Sequence, residues 1–362
     1  MKERPSNFVA TVFGQFFVTF PRGKQRTFGG VQRLVANGAD AYQKSNNGGS
    51  PWLAACARGY LDIVKFFVAE GQDIEATHSD GVTGLLYASL KGQTDVVRFL
   101  LSKGARVDRT DANGFSPLFI AVNNDHLEMC KVLIANGADV NQESANSRSP
   151  WFQACARGYL DIVEFFVENG QNIEFTDSNG ATALIVAAVF FGKTNVVRFM
   201  LSKGARVDRT DANGISPLAF AANKGHLEVC KELVANGADV NRESNNGLSP
   251  WFGACVAGLF RVEKNVGSGF GSVEHFVENG QDVDVESSMG FNGLIIASHK
   301  GKANVVRFLM SKGARTDRTT EKGITALDLA VEHRHGEIVE LLTRNGSASA
   351  DRLRNVERRM EL

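Results

Sequence analysis

No sign of charge predominates in this chain: 40 basic side chains stand against 40 acidic ones over 362 residues. That balance removes the general attraction to nucleic acid or anionic membrane that an excess of one sign supplies. Cysteine is scarce, with five residues, an odd number, and no CxxC among them. A disulfide framework or a cysteine metal site has little to build on, and the five read as small buried hydrophobes in a reducing compartment. No apolar run approaches the roughly 18 residues that span a bilayer. The stretch from Phe8 to Phe20 is apolar but contains Gly14, Gln15 and Thr19, and follows Lys2 and Arg4. It has the outline of a targeting segment without a convincing small-residue cleavage site.

Chemistry-bearing motifs are missing as well. None of the seven histidines sits in HExxH, no GxSxG surrounds a serine, and no cysteine has an obvious local histidine partner. No metal site, cofactor or nucleophile is therefore expected, and the chain reads as a non-enzyme. The run GSGFGSV from Gly267 to Val273 looks like a kinase glycine loop one residue short. No lysine-bearing strand, H-R-D or D-F-G accompanies it, so it reads as a decoy.

What the chain does have is a beat. Glycine recurs at 38, 71, 104, 137, 170, 204, 237, 280, 313 and 346. A period of 33, broken once by one residue and once by ten, signals a stacked repeat architecture. Hydrophobic content of 43% argues against disorder, and stacking spares a chain of this length from needing one large core.

One unit, GFSPLFIAVNNDHLEMCKVLIANGADVNQESAN from Gly114 to Asn146, shows the internal logic. Ser116-Pro117 is a helix start: serine accepts an orphan amide hydrogen, and proline at the first position loses no bond. A short apolar helix to Asn123 follows, then a turn at Asn124-Asp125. A second helix is predicted from Leu127 to Asn136, with Leu127, Cys130, Leu133 and Ile134 on one face and Gly137 ending it in the left-handed conformation. Units meet at Asp80-Gly81, Asn113-Gly114, Asn179-Gly180, Asn213-Gly214 and Asn246-Gly247. These pairs predict β-hairpin tips with positive φ at both central residues.

These residues resemble the ankyrin repeat. GADVN stands intact at Gly137–Asn141 and Gly237–Asn241, and NGAD at Asn37–Asp40; Ser216-Pro217-Leu218, Gly225-His226 and Thr325-Ala326-Leu327 also fit the family pattern. The resemblance implies an all-α ankyrin-repeat solenoid of helix-turn-helix units with β-hairpin fingers. It covers about nine full units plus a partial first one. The family histidine after Pro-Leu is replaced by Leu53, Phe119, Phe152, Ala219 and Asp328. In the family that histidine ties neighbouring hairpins, so its loss implies weaker, more apolar coupling. Trp52, Trp151 and Trp251 stand where the family has leucine, and are expected in the core.

A longer period overlies the first. SPWLAACARGYLDIVKFFV near Ser50 returns as SPWFQACARGYLDIVEFFV near Ser149, and DVVRFLLSKGARVDRTDANG near Asp95 as NVVRFMLSKGARVDRTDANG near Asn195. Blocks of three units were thus duplicated. The expected organisation is a non-repeat segment at 1–27, a solenoid at 28–346 and a tail at 347–362. An irregular insertion falls at about 262–272, either a glycine-rich bulge or an error in the gene assignment, such as a retained short intron.

By resemblance, partner contacts fall at the hairpin tips and just before the mid-unit glycine. The candidates are Arg58, Lys91, Arg109, Asn113, Phe115, Arg157, Phe190, Phe191, Arg209, Asn213, Ile215, Lys224, Phe291 and Lys300. Arg58, Lys91, Arg157, Lys224 and Lys300 repeat one cation at one register. Arg106, Arg109, Arg206, Arg209, Arg315 and Arg318 add a basic ladder along the fingers, while acids such as Asp62, Glu128 and Glu228 lie on second helices. The reading is a monomeric scaffold or adaptor in the cytoplasm, or alternatively the nucleus. It binds a protein partner that carries an acidic segment, with no membrane role. The alternatives are a substrate-recognition subunit of a ubiquitin ligase or other enzyme complex, nucleic-acid binding along the ladder, or a duplicated by-product with no fixed partner. Equally open is that these charges are only solvated faces.

Overall fold

The computed structural model describes residues 28–33, 50–190, 193–257 and 271–344. These hold nineteen helices, starting with α1 at 28–33. The rest come in pairs: α2 (Pro51–Arg58) with α3 (Leu61–Ala69), α4 (Gly84–Leu90) with α5 (Thr94–Ser102), and α6 (Pro117–Asn123) with α7 (Leu127–Ala135). Then come α8 (Pro150–Arg157) with α9 (Leu160–Glu168), α10 (Ala183–Val189) with α11 (Thr194–Ser202), and α12 (Pro217–Lys224) with α13 (Leu227–Ala235). Last are α14 (Pro250–Ala257) with α15 (Gly271–Glu278), α16 (Gly293–His299) with α17 (Ala303–Ser311), and α18 (Ala326–Glu332) with α19 (Gly336–Arg344). The segment 1–27, most of the insertion and the tail 347–362 lie outside the described residues.

The first helix of each pair starts where the residues demand it. Ser50, Thr83, Ser116, Thr182, Ser216, Asn292 and Thr325 each accept a hydrogen bond from the amide three residues on, closing one orphan donor of the first turn. Asp328, at the family histidine's place, completes a capping box by accepting from the Thr325 amide at 2.9 Å. Helices of seven to nine residues do not persist alone in water, so packing holds them.

The chain divides into two bodies, residues 1–154 with 159–171, and residues 155–158 with 172–362. In the N-terminal body α2 packs on α4 and α4 on α6, while α3, α5 and α7 form a second row. In the C-terminal body α10, α12, α14, α16 and α18 pack in succession, backed by second helices such as α11 on α13 and α17 on α19. Trp52, Trp151 and Trp251 are wholly buried. Trp52 meets Phe67 edge-on at 6.5 Å, and with Cys56 it packs so closely on Gly84 that a Cβ there would lie 2.8 Å from the Cys56 sulfur. Trp251 and Cys255 lie on Gly293 in the same way. In α7 the buried residues are Met129, Cys130, Val132 and Leu133, with Leu127 and Ile134 only half-buried. The face expected from sequence is rotated because a second helix touches its own first helix and its neighbours in the row, a broader contact than one amphipathic stripe.

The fingers are hairpins reduced to a single bridge, as at Thr77 with Thr83, Thr176 with Thr182, Glu286 with Asn292 and Thr319 with Thr325. Their tips correct the sequence expectation: φ is positive at Gly81 and Gly114 but not at Asp80 or Asn113. The Gly114 amide donates to Asp111 O at 3.0 Å, and the Asp111 amide to Phe115 O at 3.2 Å. Only the residue after the turn is left-handed, so the tip is a turn closed by a glycine bulge. The Asp111 carboxylate favours this form by accepting from the Asn113 and Phe115 amides, both at 2.9 Å.

Ser147 occupies that bulge position at φ 54. An L side chain there costs about 1 kcal/mol relative to glycine. Ser147→Gly is therefore expected to stabilise the protein by about 0.5–1 kcal/mol in urea unfolding, and a loss of stability would show that the Ser147 side chain is needed at the tip.

Candidate functional site

Within each body, neighbouring fingers are tied through their backbones at two places. In the N-terminal body Ala112 N donates to Asp80 O at 3.0 Å and Ala145 N to Asn113 O at 3.2 Å. In the C-terminal body Ala212 N donates to Asn179 O at 2.9 Å and Asn245 N to Asn213 O at 3.0 Å. Side chains add to this: Gln142 Nε2 donates to Asp108 O and Arg242 Nη1 to Asp208 O, both at 2.9 Å. Loss of the family histidine thus leaves the hairpins hydrogen-bonded, because tip carbonyls and long polar side chains supply the ties.

The ladder arginines take part in that lattice. Glu75 Oε1 accepts the Arg106 amide at 2.9 Å while its other oxygen lies 3.7 Å from Arg109 Nε. Glu174 does the same for Arg206 and Arg209, at 2.9 and 3.6 Å. Arg318 pairs with Glu286 at 3.0 Å. Arg106, Arg206 and Arg315 each fork onto the aspartate two residues on, which holds Asp108, Asp208 and Asp317 below the usual carboxylate range. The clean separation of charge expected from sequence is therefore not found. Finger arginines have acidic partners on their own or the preceding finger, so their field is largely cancelled at short range. The R-V-D-R run carried the fork, and the repeated Glu75 and Glu174 carried the second partner. Both signals lay in the three-unit period.

The helix-end cations form a second set. Arg58, Lys91, Arg157, Lys224 and Lys300 are all exposed, at the same register at or just past the end of a first helix. Asn113 and Asn213 are exposed at the tips, with their backbones committed to the lattice above. Phe115 is half-buried and stacks on Phe119 at 4.6 Å; Ile215 and Phe291 are half-buried at equivalent fingers. Phe190 is exposed where α10 gives way to extended backbone, and Phe191 lies outside the described residues. In the C-terminal body a polar cleft between fingers is lined by Arg206, Arg209, Arg242, Asp208 and Asp211.

Nothing in these positions assembles reaction chemistry. All five cysteines are buried and free; burial pushes the Cys130 and Cys230 thiols up to about 12 and raises the other three as well. Among the described residues no group of three His, Cys, Asp or Glu could hold a metal ion, and no helix is long and apolar enough to cross a membrane.

The chain matches the family described as Ankyrin repeats (3 copies) in overlapping stretches at 25–111, 52–144, 118–211, 151–244, 184–262 and 264–352. It is similar to the crystal structure of the human ASB11 ankyrin repeat domain, with 30% identity, a TM-score of 0.52, and coverage of 56% of this chain and 90% of that one. It is also similar in fold to the ankyrin repeat domain of Bcl-3, described as a unique member of the IkappaB protein family, at 23% identity, a TM-score of 0.51, and 57% and 94% coverage. No curated protein matches it. The paired helices and single-bridge fingers recur along these matched stretches, and the chain belongs to the ankyrin repeat family, whose domains typically bind other proteins.

Proposed function

We propose that this protein is a scaffold that binds partner proteins through its finger tips and first-helix ends, without catalysis of its own, and that its partners present acidic segments. The observation that carries this reading is the recurrence of an exposed cation at one register: Arg58 and Lys91 in the N-terminal body, Arg157, Lys224 and Lys300 in the C-terminal body. Exposed charges contribute little to folding, so their regular placement is free to serve recognition and steering. Phe115, Ile215 and Phe291 on the fingers supply half-covered apolar area of the kind that anchors an interface. The cytoplasm, where free thiols persist, is the proposed compartment.

The test is charge reversal that leaves the finger lattice alone. Lys91→Glu, Lys224→Glu and Lys300→Glu together are expected to weaken capture of acidic-segment partners about tenfold at physiological salt while leaving thermal unfolding within about 2 °C. Capture of the same partners in the same amounts would remove the acidic-segment reading. Binding to plain duplex DNA or RNA that falls steeply with salt would favour nucleic acid instead.

A further inference from the structure

Three imidazoles gather at the last repeat junction of the C-terminal body. The His299 ring, at the end of α16, lies 4.5 Å from that of His333, just past α18, and His333 lies 6.1 Å from His335. The backbone fixes them there. His335 N donates to Ala330 O at 2.8 Å, and Arg334 between the two histidines is held at φ 59. His335 Nε2 donates to His299 O at 3.1 Å, and its ring sits against Gly301, where a Cβ would come within 2.8 Å. The His335 ring is thereby fixed in place by a carbonyl on one side and a bare glycine on the other.

Cations dominate the surroundings. Lys300, His333 and His335 face His299 against one carboxylate, Glu332, while Arg334 is exposed beside them and Lys302 is buried at the cap of α17. The other elements packed on α16 bring little to offset this. Arg307 of α17 is paired with Glu337 of α19, Asp328 of α18 is turned into its capping box, and α14 carries only the buried Cys255 thiol. Burial, then Lys300 and His333, holds the His299 imidazole below its usual range.

We propose that this junction is a proton-linked docking point for an acidic peptide segment, whose carboxylates seat against His299, His333 and Lys300. The inference rests on the acidic-partner reading above and adds a place and a regulation to it. The occupant follows from charge: among the described residues cations outnumber the one facing carboxylate, Glu332, and the patch lies at the register of Lys91 and Lys224, already read as a contact register. A carboxylate placed there favours the charged imidazoles, so binding takes up protons and tightens as pH falls. The peptide's own aspartates stay ionised throughout the range.

The experiment titrates the full chain into a fluorescein-labelled ten-residue oligo-aspartate at pH 7.5 and 6.0, at fixed ionic strength. The expected result is affinity about tenfold tighter at pH 6.0, with uptake of about one proton read by calorimetry in buffers of different ionisation heat. His299→Gln with His333→Gln should reduce the pH effect to about twofold or less while binding at pH 7.5 persists. Because His333 is exposed, His333→Gln alone serves as the variant least able to disturb folding, and it should remove part of the effect. Equal wild-type affinity at the two pH values, or the same pH effect in the double variant, would overturn the proton linkage and leave the acidic-partner reading standing. No binding at either pH would overturn both.

Discussion

Trp52→Ala is expected to destabilise the N-terminal body by about 3–5 kcal/mol, the range for emptying a fully buried aromatic site. The indole has no exposed surface, meets Phe67 of its own second helix edge-on, and covers the bare backbone of Gly84 on the next first helix. Gly84 has no side chain with which to fill the space, and Phe67 and Cys56 are themselves fully enclosed, so collapse into the cavity is limited. In a repeat protein each unit depends on its neighbours, so the loss should appear as an early transition of the repeats around α2. Circular dichroism in urea, followed alongside fluorescence of the remaining Trp151 and Trp251, reads this directly. A change below about 1 kcal/mol would mean that the tryptophan is not the wedge between these repeats.

The second large effect separates two glycines that look alike in the sequence. Gly114→Ala is expected to cost about 2–4 kcal/mol, whereas Gly137→Ala should cost about 1. Both residues have positive φ, at 78 and 87. A Cβ on Gly137 meets nothing within 4 Å, so only backbone strain opposes it. A Cβ on Gly114 falls 2.8 Å from the Ala145 amide nitrogen, the group that donates to Asn113 O and ties one finger to the next. Backbone cannot step aside as a flexible side chain can, so the substitution strains the tip and displaces its neighbour together. Chemical denaturation of the two variants side by side is the measurement, and equal costs would show that the finger contact carries no energy.

The helices, their caps and the fold class were legible because each depends on neighbours in sequence. Ser116-Pro117 can start a helix and Gly137 can end one wherever they stand. The bulge at the tips was misread as a two-residue turn, since Asn-Gly suits both and only the Asp111 carboxylate, two residues before Asn113, decides between them. The helix-end register of Arg58, Lys91, Arg157, Lys224 and Lys300 was readable from the period. The state of Arg109 and Arg209 was not, because their partners Glu75 and Glu174 lie on the preceding finger, one unit upstream.

By itself, then, the amino-acid order determined a solenoid of two-helix units, the burial of its tryptophans and cysteines, and the register at which cations recur. Those follow from local propensity and a fixed period, which need no knowledge of distant contacts. Tertiary structure alone decided which carboxylates the finger arginines meet, which face of α7 turns inward, and that His299, His333 and His335 meet at one junction. These depend on separations through space of a few ångströms between residues up to about 36 positions apart, and Coulomb and packing energies are set by that distance, not by order along the chain.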